Sequence, residues 1–348
     1  MIDTQAEALE SAVRSGLGYH YTAAVVRIER RGRAVFERAY GALDDAADAA
    51  PTTVRTAFDL ASLTKAFVAT AVLAAVADGQ LALSASLVDV VPEWRGTDHA
   101  VITLAMLLAH TAGLQSGADY RTLLGEDIER YARERALVAR PGERVVYSDL
   151  GFIVLGTVLA RARSSSLAHM VRACALRLGC EATAYRPRND DTAAFPATEW
   201  DAWRGRLRGA VHDEKAYLMN GVAGHAGLFE TAYDVGRLAD VYLAAATSRE
   251  SAPVLPGWLA RAAIREHGPD AILRRGYGWA LKTSDANSCG AAMARETFGH
   301  TGFTGTCVWA DPSRDLCVVL LTNAVYYGRR DLRDVRAAVC DAAVAAYA

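Results

Sequence analysis

The chain has 348 residues, of which 52% are hydrophobic, and a formal net charge of −2. This composition allows a large buried core in one to three domains and excludes the basic surface typical of proteins that bind nucleic acids or anionic membranes. The first fifteen residues carry charges and no apolar stretch, so no secretory signal is predicted, and the longest apolar stretch, residues 66–77, is too short to span a bilayer. We therefore expect a cytoplasmic protein without nucleic-acid or membrane partners.

The cysteine and histidine pattern predicts no metal or cofactor site. The six cysteines form neither a CxxC pair nor a zinc-ligand spacing with histidine, and buried thiols are expected rather than disulfides. His212, Asp213 and His225 also lack ligand spacing, and we interpret them as local hydrogen-bond partners.

Hydrophobic periodicity and turn residues predict the elements in chain order. Residues 3–15 form a helix, residues 22–28 and 34–40 form a hairpin, and a helix begins near Ser62 and ends at Asp78 and Gly79. Further helices are predicted at residues 104–109, 126–140, 150–161, 167–178 and 232–246. Strands follow at residues 276–282, 296–301, 306–310 and 316–323, and a last helix spans residues 331–346.

The predicted strands cluster at both ends of the chain, with helices between them. The simplest architecture is α+β, an antiparallel sheet of terminal strands flanked by N- and C-terminal helices, with a mainly helical lobe beside it. Residues 1–60 and 275–348 are assigned to the sheet region and residues 61–274 to the helical region, within one unit. A functional site is expected in the cleft between the two regions.

Ser62 and Lys65 form the first candidate catalytic pair. The chain contains only three lysines among many arginines, and a buried lysine can act as a base whereas arginine cannot. Residues i and i+3 face the same way on a helical turn, so Lys65 is expected beside Ser62, near a helix N-terminus that stabilises developing negative charge. Alternatively, Ser62 is an ordinary helix cap and Lys65 is solvated, and such a pair arises by chance in roughly one chain in eight.

Two further segments carry candidate site residues. Tyr147, Ser148 and Asp149 stand at the start of a predicted helix, where Ser148 or Asp149 would also serve as an ordinary N-cap. His300 and Thr301 lie among three glycines in and beside a predicted strand, and such glycines usually mark the close approach of another backbone or a ligand. We interpret this strand as a substrate-binding edge.

Together these segments resemble the serine β-lactamase and penicillin-binding protein superfamily, whose motifs are S-x-x-K, Y-S-N and K-T-G. Order and spacing agree over nearly the whole chain. Residues 102–114 are similar to the family's LLxHTSGL stretch, and residues 209–214 and 221–229 resemble elements of its esterase and amidase branch. The resemblance implies a β-lactamase-like fold and acyl transfer through a serine acyl-enzyme.

By this resemblance, Ser62 is the acylated nucleophile and Lys65 is its base or proton relay. Tyr147 matches the second basic group, which protonates the leaving group and can activate the incoming nucleophile. The backbone N–H groups of Ser62 and Phe303 would form the oxyanion hole. Whether Lys65 is the base, or the cation that makes Tyr147 the base, stays open.

Asp149, His300, Thr301, Gly302 and His225 are the expected substrate-binding residues. Asp149 stands where the family usually has Asn, and its charge should favour the protonated form of Lys65. His300 replaces the usual Lys, which removes a permanent cation that would hold a substrate carboxylate. His225 is expected to border the cleft because glycines lie on both sides of it.

These departures favour a hydrolase of a small-molecule ester or amide over a β-lactamase or a D-amino-acid peptidase. An alternative with the same acyl-enzyme is a transacylase that passes the acyl group to an amine co-substrate, since exclusion of water decides between the two acceptors. A catalytically silent scaffold relative is a further alternative, against which the joint presence of Ser62, Lys65 and Tyr147 argues. Glu199 is a weak candidate for a deacylating glutamate.

Overall fold

The computed structural model describes residues 2–117, 120–187, 194–250, 252–270, 272–284 and 286–348. Its helices are α1 (Ile2–Arg14), α2 (Thr64–Ala77), α3 (Leu104–Leu108), α4 (Ile128–Glu134), α5 (Asp149–Arg163), α6 (Leu167–Leu178), α7 (Glu214–Leu218), α8 (Ala232–Thr247), α9 (Gly257–Ala263) and α10 (Arg333–Tyr347). Its strands are β1 (Ala23–Arg30), β2 (Arg33–Gly41), β3 (Phe58–Asp59), β4 (Ala184–Tyr185), β5 (Trp200–Asp201), β6 (Gly205–Arg206), β7 (Leu228–Glu230), β8 (Ala280–Leu281), β9 (Phe298–Thr301), β10 (Cys307–Asp311) and β11 (Leu316–Thr322).

The main sheet has six strands in the order β2-β1-β11-β10-β9-β8, and every neighbouring pair is antiparallel. The N-terminal hairpin pairs directly with the C-terminal strands, with Val26 opposite Leu320. This confirms the predicted α+β architecture, in which strands from the two ends of the chain form one sheet.

Strands β1, β10 and β11 are buried on both faces, which explains why they are largely apolar, whereas the edge strand β2 is mostly exposed. Side chains alternate between the faces, so Val26 packs in the cluster with α1 and α10 while Val25 packs in the larger cluster with α2 and α8. Cys307 and Cys317 lie in different clusters, and all six cysteines are buried free thiols, as expected.

Helix α2 lies at the centre of the larger cluster, and its residues from Thr64 to Ala75 are all buried. A helix that is apolar all round is expected inside a protein, and α5 is similarly buried over most of its length. Among the described residues, no single helix has the length and apolar character needed to cross a membrane, and α5 and α6 meet that criterion only as a pair bent by 86°.

The differences from the sequence predictions concern short elements. Helix α4 ends at Glu134 instead of continuing to residue 140, because the chain becomes extended at Arg135 and Val138 donates a backbone hydrogen bond to Gly113. The strand predicted at residues 276–282 is reduced to the two residues of β8. Helices α7 and α9 and the other two- or three-residue strands were not predicted. Elements this short are too brief for a hydrophobic pattern to repeat several times.

A second, three-stranded sheet in the order β3-β7-β4 positions the segment that carries Ser62. Strand β3 pairs with β7, with Phe58 opposite Glu230 and Asp59 opposite Phe229. The chain turns directly from β3 into α2, and the N-terminus of α2 is anchored where the Leu228 N–H donates to Thr64 Oγ1 at 3.2 Å. Ser62 is therefore fixed between a strand end and a buried helix.

Glu230 in β7 is a buried carboxyl group with no exposed surface. Burial, reinforced by the neighbouring Asp234 carboxylate, raises the pKa of Glu230 well above its usual range. The unfolded chain therefore loses this proton at a lower pH than the folded protein, so Glu230 makes the protein less stable as pH rises above the pKa of the unfolded state.

We expect Glu230→Gln to raise the melting temperature at pH 8 and to change it much less at pH 4.5, because glutamine removes the ionisable group. Melting temperatures of both proteins between pH 4.5 and 8 check this. The matched variant Glu126→Gln, at an exposed glutamate, should give a difference that does not vary with pH. A Glu230→Gln difference that is equally constant would contradict the assignment.

Candidate active site

The turn that carries Ser62 is held by the buried carboxylate of Asp59. Asp59 Oδ1 accepts the Ala61 N–H at 2.9 Å, and Oδ2 accepts the His212 N–H at 2.6 Å. Ala61 has a φ of 46°, in the left-handed region that a residue with a side chain seldom adopts. These bonds hold the strained turn and leave the Ser62 side chain partly exposed at the start of the helix.

The end of β9 is bound to the same turn. Thr304 Oγ1 donates to the Asp59 carbonyl at 2.6 Å, and Thr306 Oγ1 donates to the Leu60 carbonyl at 3.0 Å. A Cβ atom at Gly302 would lie 2.2 Å from the Leu60 carbonyl oxygen, so only glycine fits. The glycines therefore mark a close backbone approach, as the sequence predicted.

Lys65 lies beside Ser62 and is completely buried. Its Nζ donates to Ser62 Oγ at 2.9 Å and to the His225 carbonyl at 3.1 Å, and it lies 2.8 Å from Asp149 Oδ1. The ammonium group is thus surrounded by three oxygen atoms. The structure brings together the predicted pair and excludes the alternative of a solvated lysine.

Electrostatics favour the charged form of Lys65. Burial alone would lower the pKa of Lys65, but the Asp149 carboxylate and the Tyr147 hydroxyl more than offset burial, and the pKa is raised above its usual value. On the other side of the pair, burial opposes the charge of Asp149, but Lys65, His225 and Lys215 lower the pKa of its carboxyl. Lys65 and Asp149 therefore form a buried ion pair, as the replacement of Asn by Asp predicted.

The segment that carries Tyr147 and Asp149 is fixed by its backbone. Ser148 is the N-cap of α5, accepting the Gly151 N–H at 2.8 Å, so the ordinary capping interpretation holds for Ser148. Ser116 Oγ donates to the Tyr147 carbonyl and accepts the Asp149 N–H, both at 2.9 Å. These bonds direct the Tyr147 ring over Lys65, whose Nζ lies 5.1 Å from the ring centroid.

His300 in β9 is a buried, neutral imidazole. Its Nδ1 lies 2.8 Å from the Thr301 carbonyl oxygen, which can only accept, so Nδ1 carries the proton. Burial and then the cations of Arg275 and Lys65 lower the pKa of His300 to about 3. His300 therefore supplies no positive charge, in line with the expectation from the sequence.

Arg275 supplies a cation that sequence reasoning missed. Its guanidinium lies 5.1 Å from the centroid of the Tyr147 ring and close enough to His300 to act on its charge. Burial lowers the pKa of Arg275, but an arginine stays charged under all ordinary conditions. Within the described part of the chain, no carboxylate forms an ion pair with it.

Two cavities meet at Ser62. The arginine cavity, of about 550 Å³, is lined by Ser62, Tyr147, Arg275, His300, Thr301 and Gly302 among others. The acidic cavity, of about 290 Å³, is lined by Ser62, Tyr147, Asp149, Asp213, Glu214 and Phe303 among others. A substrate carbonyl at Ser62 would therefore have one substituent on each side.

The amide N–H groups of Ser62 and Phe303 border this junction. No hydrogen-bond acceptor for either group is present in the described ranges. The Phe303 ring is 57% exposed and stacks on His212 with ring centroids 5.7 Å apart. The two N–H groups are thus available for the expected oxyanion hole, and Phe303 lines both cavities.

His225 does not bind substrate as predicted. It is fully buried and lines neither cavity, because it lies behind Lys65. Its carbonyl accepts from Lys65, and its Nε2 lies 2.8 Å from Asp213 Oδ1. The difference arises because the loop that carries His225 presents its backbone carbonyl, and not its side chain, to Lys65. Glu199 also lines neither cavity and is paired with His212 and Arg329.

Asp149, Asp213 and His225 bring their ligand atoms within 4.8 Å of one another, an arrangement that could hold a metal ion. Two ammonium groups already neutralise these acids. Lys65 lies against Asp149, and Lys215 Nζ lies 3.3 Å from Asp149 Oδ2 and 3.5 Å from Asp213 Oδ2. A divalent cation would add charge to a cluster that is already balanced, so the absence of a metal stays our prediction.

Lys215 and Arg275 are charged residues near Ser62 that sequence analysis did not select. The scarcity of lysine, which directed attention to Lys65, applies equally to Lys215, and this signal could have found it. Arg275 had no such signal, because arginine is the common cation of this chain. Only the tertiary structure places it beside Tyr147.

A scan of protein families matches the Beta-lactamase family over residues 9–342. Among curated relatives, a "Putative D-alanyl-D-alanine carboxypeptidase" of Salmonella agona (strain SL483) is 26% identical over 311 residues, covering 78% of this chain and 70% of the relative.

Solved structures agree on the fold. EstCE1, described as "a hydrolase with promiscuous acyltransferase activity", is similar with a TM-score of 0.77 and 22% identity, covering 97% of this chain and 99% of EstCE1. A class C β-lactamase from Rhodobacter sphaeroides gives a TM-score of 0.76 and 20% identity over 97% and 98% of the two chains. The solved structures show the same fold, and the family match across nearly the whole chain shows that the protein belongs to the β-lactamase family of serine hydrolases.

Proposed function

We propose that the protein forms an acyl-enzyme on Ser62 and hydrolyses an ester or amide of a small molecule. The observation that carries this proposal is the contact between the buried Lys65 ammonium and Ser62 Oγ, at the junction of two cavities. A hydroxyl in this position is polarised by an adjacent cation and faces a space that a carbonyl compound can enter.

Tyr147 is the group we assign to take the proton of Ser62. Lys65 is charged and surrounded by three oxygen atoms, so it has no free electron pair for a proton. The cations of Lys65 and Arg275 each lie 5.1 Å from the centroid of the Tyr147 ring, and both would stabilise the phenolate form of Tyr147, which is the form that can accept a proton. Lys65 then acts as an electrostatic partner rather than as the base.

The acyl transfer follows in two balanced steps. Ser62 Oγ bonds to the carbonyl carbon as its proton passes to the Tyr147 phenolate, and the N–H groups of Ser62 and Phe303 stabilise the oxyanion. The bond to the leaving group breaks, and Tyr147 returns the proton to the departing oxygen or nitrogen. Water then attacks the acyl carbon, gives a proton to Tyr147, and Ser62 leaves with that proton.

An amine acceptor is the second candidate for this step. EstCE1, which is described as having promiscuous acyltransferase activity, is similar in fold along nearly its whole length. An amine in the acidic cavity would lie beside Ser62 and the Asp149 and Asp213 carboxylates. A protonated amine must lose a proton before it attacks the acyl carbon.

Arg275 supports an anionic substituent on the substrate. The guanidinium lines the arginine cavity with Ser62, and within the described residues it lacks a carboxylate partner. Burying a cation is costly unless an anion compensates it, and a substrate carboxylate would do so. His300 stands where the family's K-T-G motif has a lysine. Arg275, which precedes β8, therefore supplies this cavity with a cation from another part of the chain.

We expect a fluorophosphonate probe to add once to the wild-type protein and not to Ser62→Ala, because the adduct forms on the nucleophile. Tyr147→Phe should slow labelling by about 10²- to 10⁴-fold, the usual contribution of a positioned general base. Intact-protein mass spectrometry measures both. Absence of a wild-type adduct would instead favour a catalytically silent relative.

When the protein turns over an ester in the presence of a saturating amine, we expect the carboxylic acid to remain the main product, because the open cavities admit water to the acyl-enzyme. Liquid chromatography of acid and amide products, with and without the amine, checks this. A product that is mainly amide would establish the transacylase instead.

Arg275→Gln should lower the preference for a carboxylate-bearing ester over its neutral isostere by about tenfold, since a hydrogen bond to a charged group contributes ~1.5–3 kcal/mol. Two pairs cover both sides of the ester, 3-carboxyphenyl against phenyl butyrate and 4-nitrophenyl hemiglutarate against 4-nitrophenyl butyrate. The readout is the ratio of kcat/KM values within each pair.

Arg330→Gln is the matched control, because it removes an exposed cation that lines the same cavity. Its effect on both ratios should be small, since water screens its charge. Equal losses for anionic and neutral esters in Arg275→Gln would mean that Arg275 acts on Tyr147 rather than on the substrate.

A further inference from the structure

All three lysines of this chain are buried, which is unusual for lysine. Lys282 donates to two backbone carbonyls, those of Ala291 and Met293, away from the active site. Lys65 and Lys215 instead lie on the same carboxylate, Asp149, one at each oxygen atom. Lys215 is therefore connected to Lys65, the partner of Ser62, through the single carboxylate of Asp149.

The geometry places Lys215 behind the site rather than in it. Its Nζ lies 3.3 Å from Asp149 Oδ2 and 3.5 Å from Asp213 Oδ2, and its side chain lines neither cavity. Asp213 is bound in turn by His225 Nε2 at 2.8 Å. Lys215 thus bridges the two acids that lie nearest the catalytic lysine.

The charges around Lys65 come from several elements. Asp149 at the start of α5 lies in direct contact, and the Tyr147 ring precedes it. Lys215 and Asp213 face the cluster from α7 and its N-cap. Among the described residues, His225, His110, His300 and Arg275 are further titratable or charged groups that interact with Lys65, Asp149 or Tyr147.

Counting these charges shows what Lys215 contributes. Asp149 and Asp213 carry two negative charges, and the ammonium groups of Lys65 and Lys215 lie against them with two positive charges. Loss of Lys215 would remove one of these positive charges and make the surroundings of Ser62 and Tyr147 more negative. A negative environment opposes removal of a proton from either group.

We propose that Lys215 is a positioning residue that sets the proton affinity of the catalytic base by sharing the Asp149 carboxylate with Lys65. It does not contact the reacting atoms. Its ammonium offsets the second carboxylate, so that the pull of Asp149 on Lys65 is moderated and the base functions at a lower pH. This inference rests on the proposed acyl-enzyme at Ser62, and it holds whether Tyr147 or Lys65 takes the proton.

The test is the pH dependence of Ser62 labelling by a fluorophosphonate, measured by intact mass between pH 5.5 and 10. Lys215→Gln removes the charge but keeps a donor for Asp149. We expect its rising limb to move to higher pH by about one unit, the lower end of the range for a charge within 4–6 Å. Lys215→Arg keeps the charge and should retain the wild-type midpoint.

Asp149→Asn provides the matched opposite change, because it removes a negative charge from the same contact. Its rising limb should move to lower pH, and the double variant Asp149→Asn/Lys215→Gln should return toward the wild-type midpoint. Melting curves establish that each variant is folded, and Lys215→Met replaces the Gln variant if the latter is not.

A purely structural role for Lys215 predicts a lower rate with an unchanged midpoint, and this result would overturn the inference. Shifts of Lys215→Gln and Asp149→Asn in the same direction would overturn it as well. If the wild-type protein is not labelled at all, the proposed function fails together with this inference. If the wild-type protein is labelled and the pH profiles of wild type and Lys215→Gln coincide, the proposed function stands and only the role of Lys215 is refuted.

Discussion

The buried ammonium of Lys65 is the constraint on which the rest of this site depends. Removing an ammonium from water costs several kcal/mol unless oxygen atoms replace the lost hydration. Here three oxygen atoms do so, from the nucleophile, from the Asp149 carboxylate and from the backbone of His225. Because they belong to three distant segments, the lysine also fixes those segments relative to one another.

The same demand for compensation extends outward from Lys65. Asp149 is itself buried and is shared with Lys215, which also bridges to Asp213, and Asp213 binds His225. On the opposite side, Asp59 holds the turn before Ser62 through backbone N–H groups, and the threonines after β9 hold the carbonyls of that turn. Ser62 therefore lies between a network of charged side chains on one side and a hydrogen-bonded backbone turn on the other. None of the side chains named in either group is an exposed surface residue.

Much of the fold and the core of the site could be predicted from the sequence. The hairpin at the N-terminus, the strands at the C-terminus and the long helices have clear hydrophobic periods, and Ser62, Lys65 and Tyr147 stand in recognisable local patterns. The short helix α7 was not predicted, because its five residues span little more than one helical turn and no hydrophobic pattern repeats in it. Lys215, which lies in α7, was missed for the same reason. His225 was misplaced because flanking glycines do not tell whether a side chain faces the cavity or the core.

The sequence by itself determined that Ser62 and Lys65 lie side by side, since they are one helical turn apart and their relation is local. It also determined that His300 is no permanent cation, because the residue type decides that. Only the tertiary structure decided where the compensating charges come from. Arg275 reaches Tyr147, and Lys215 reaches Asp149, across long stretches of chain. Electrostatic balance in a buried site depends on distances of a few ångströms, which no local pattern in a sequence encodes.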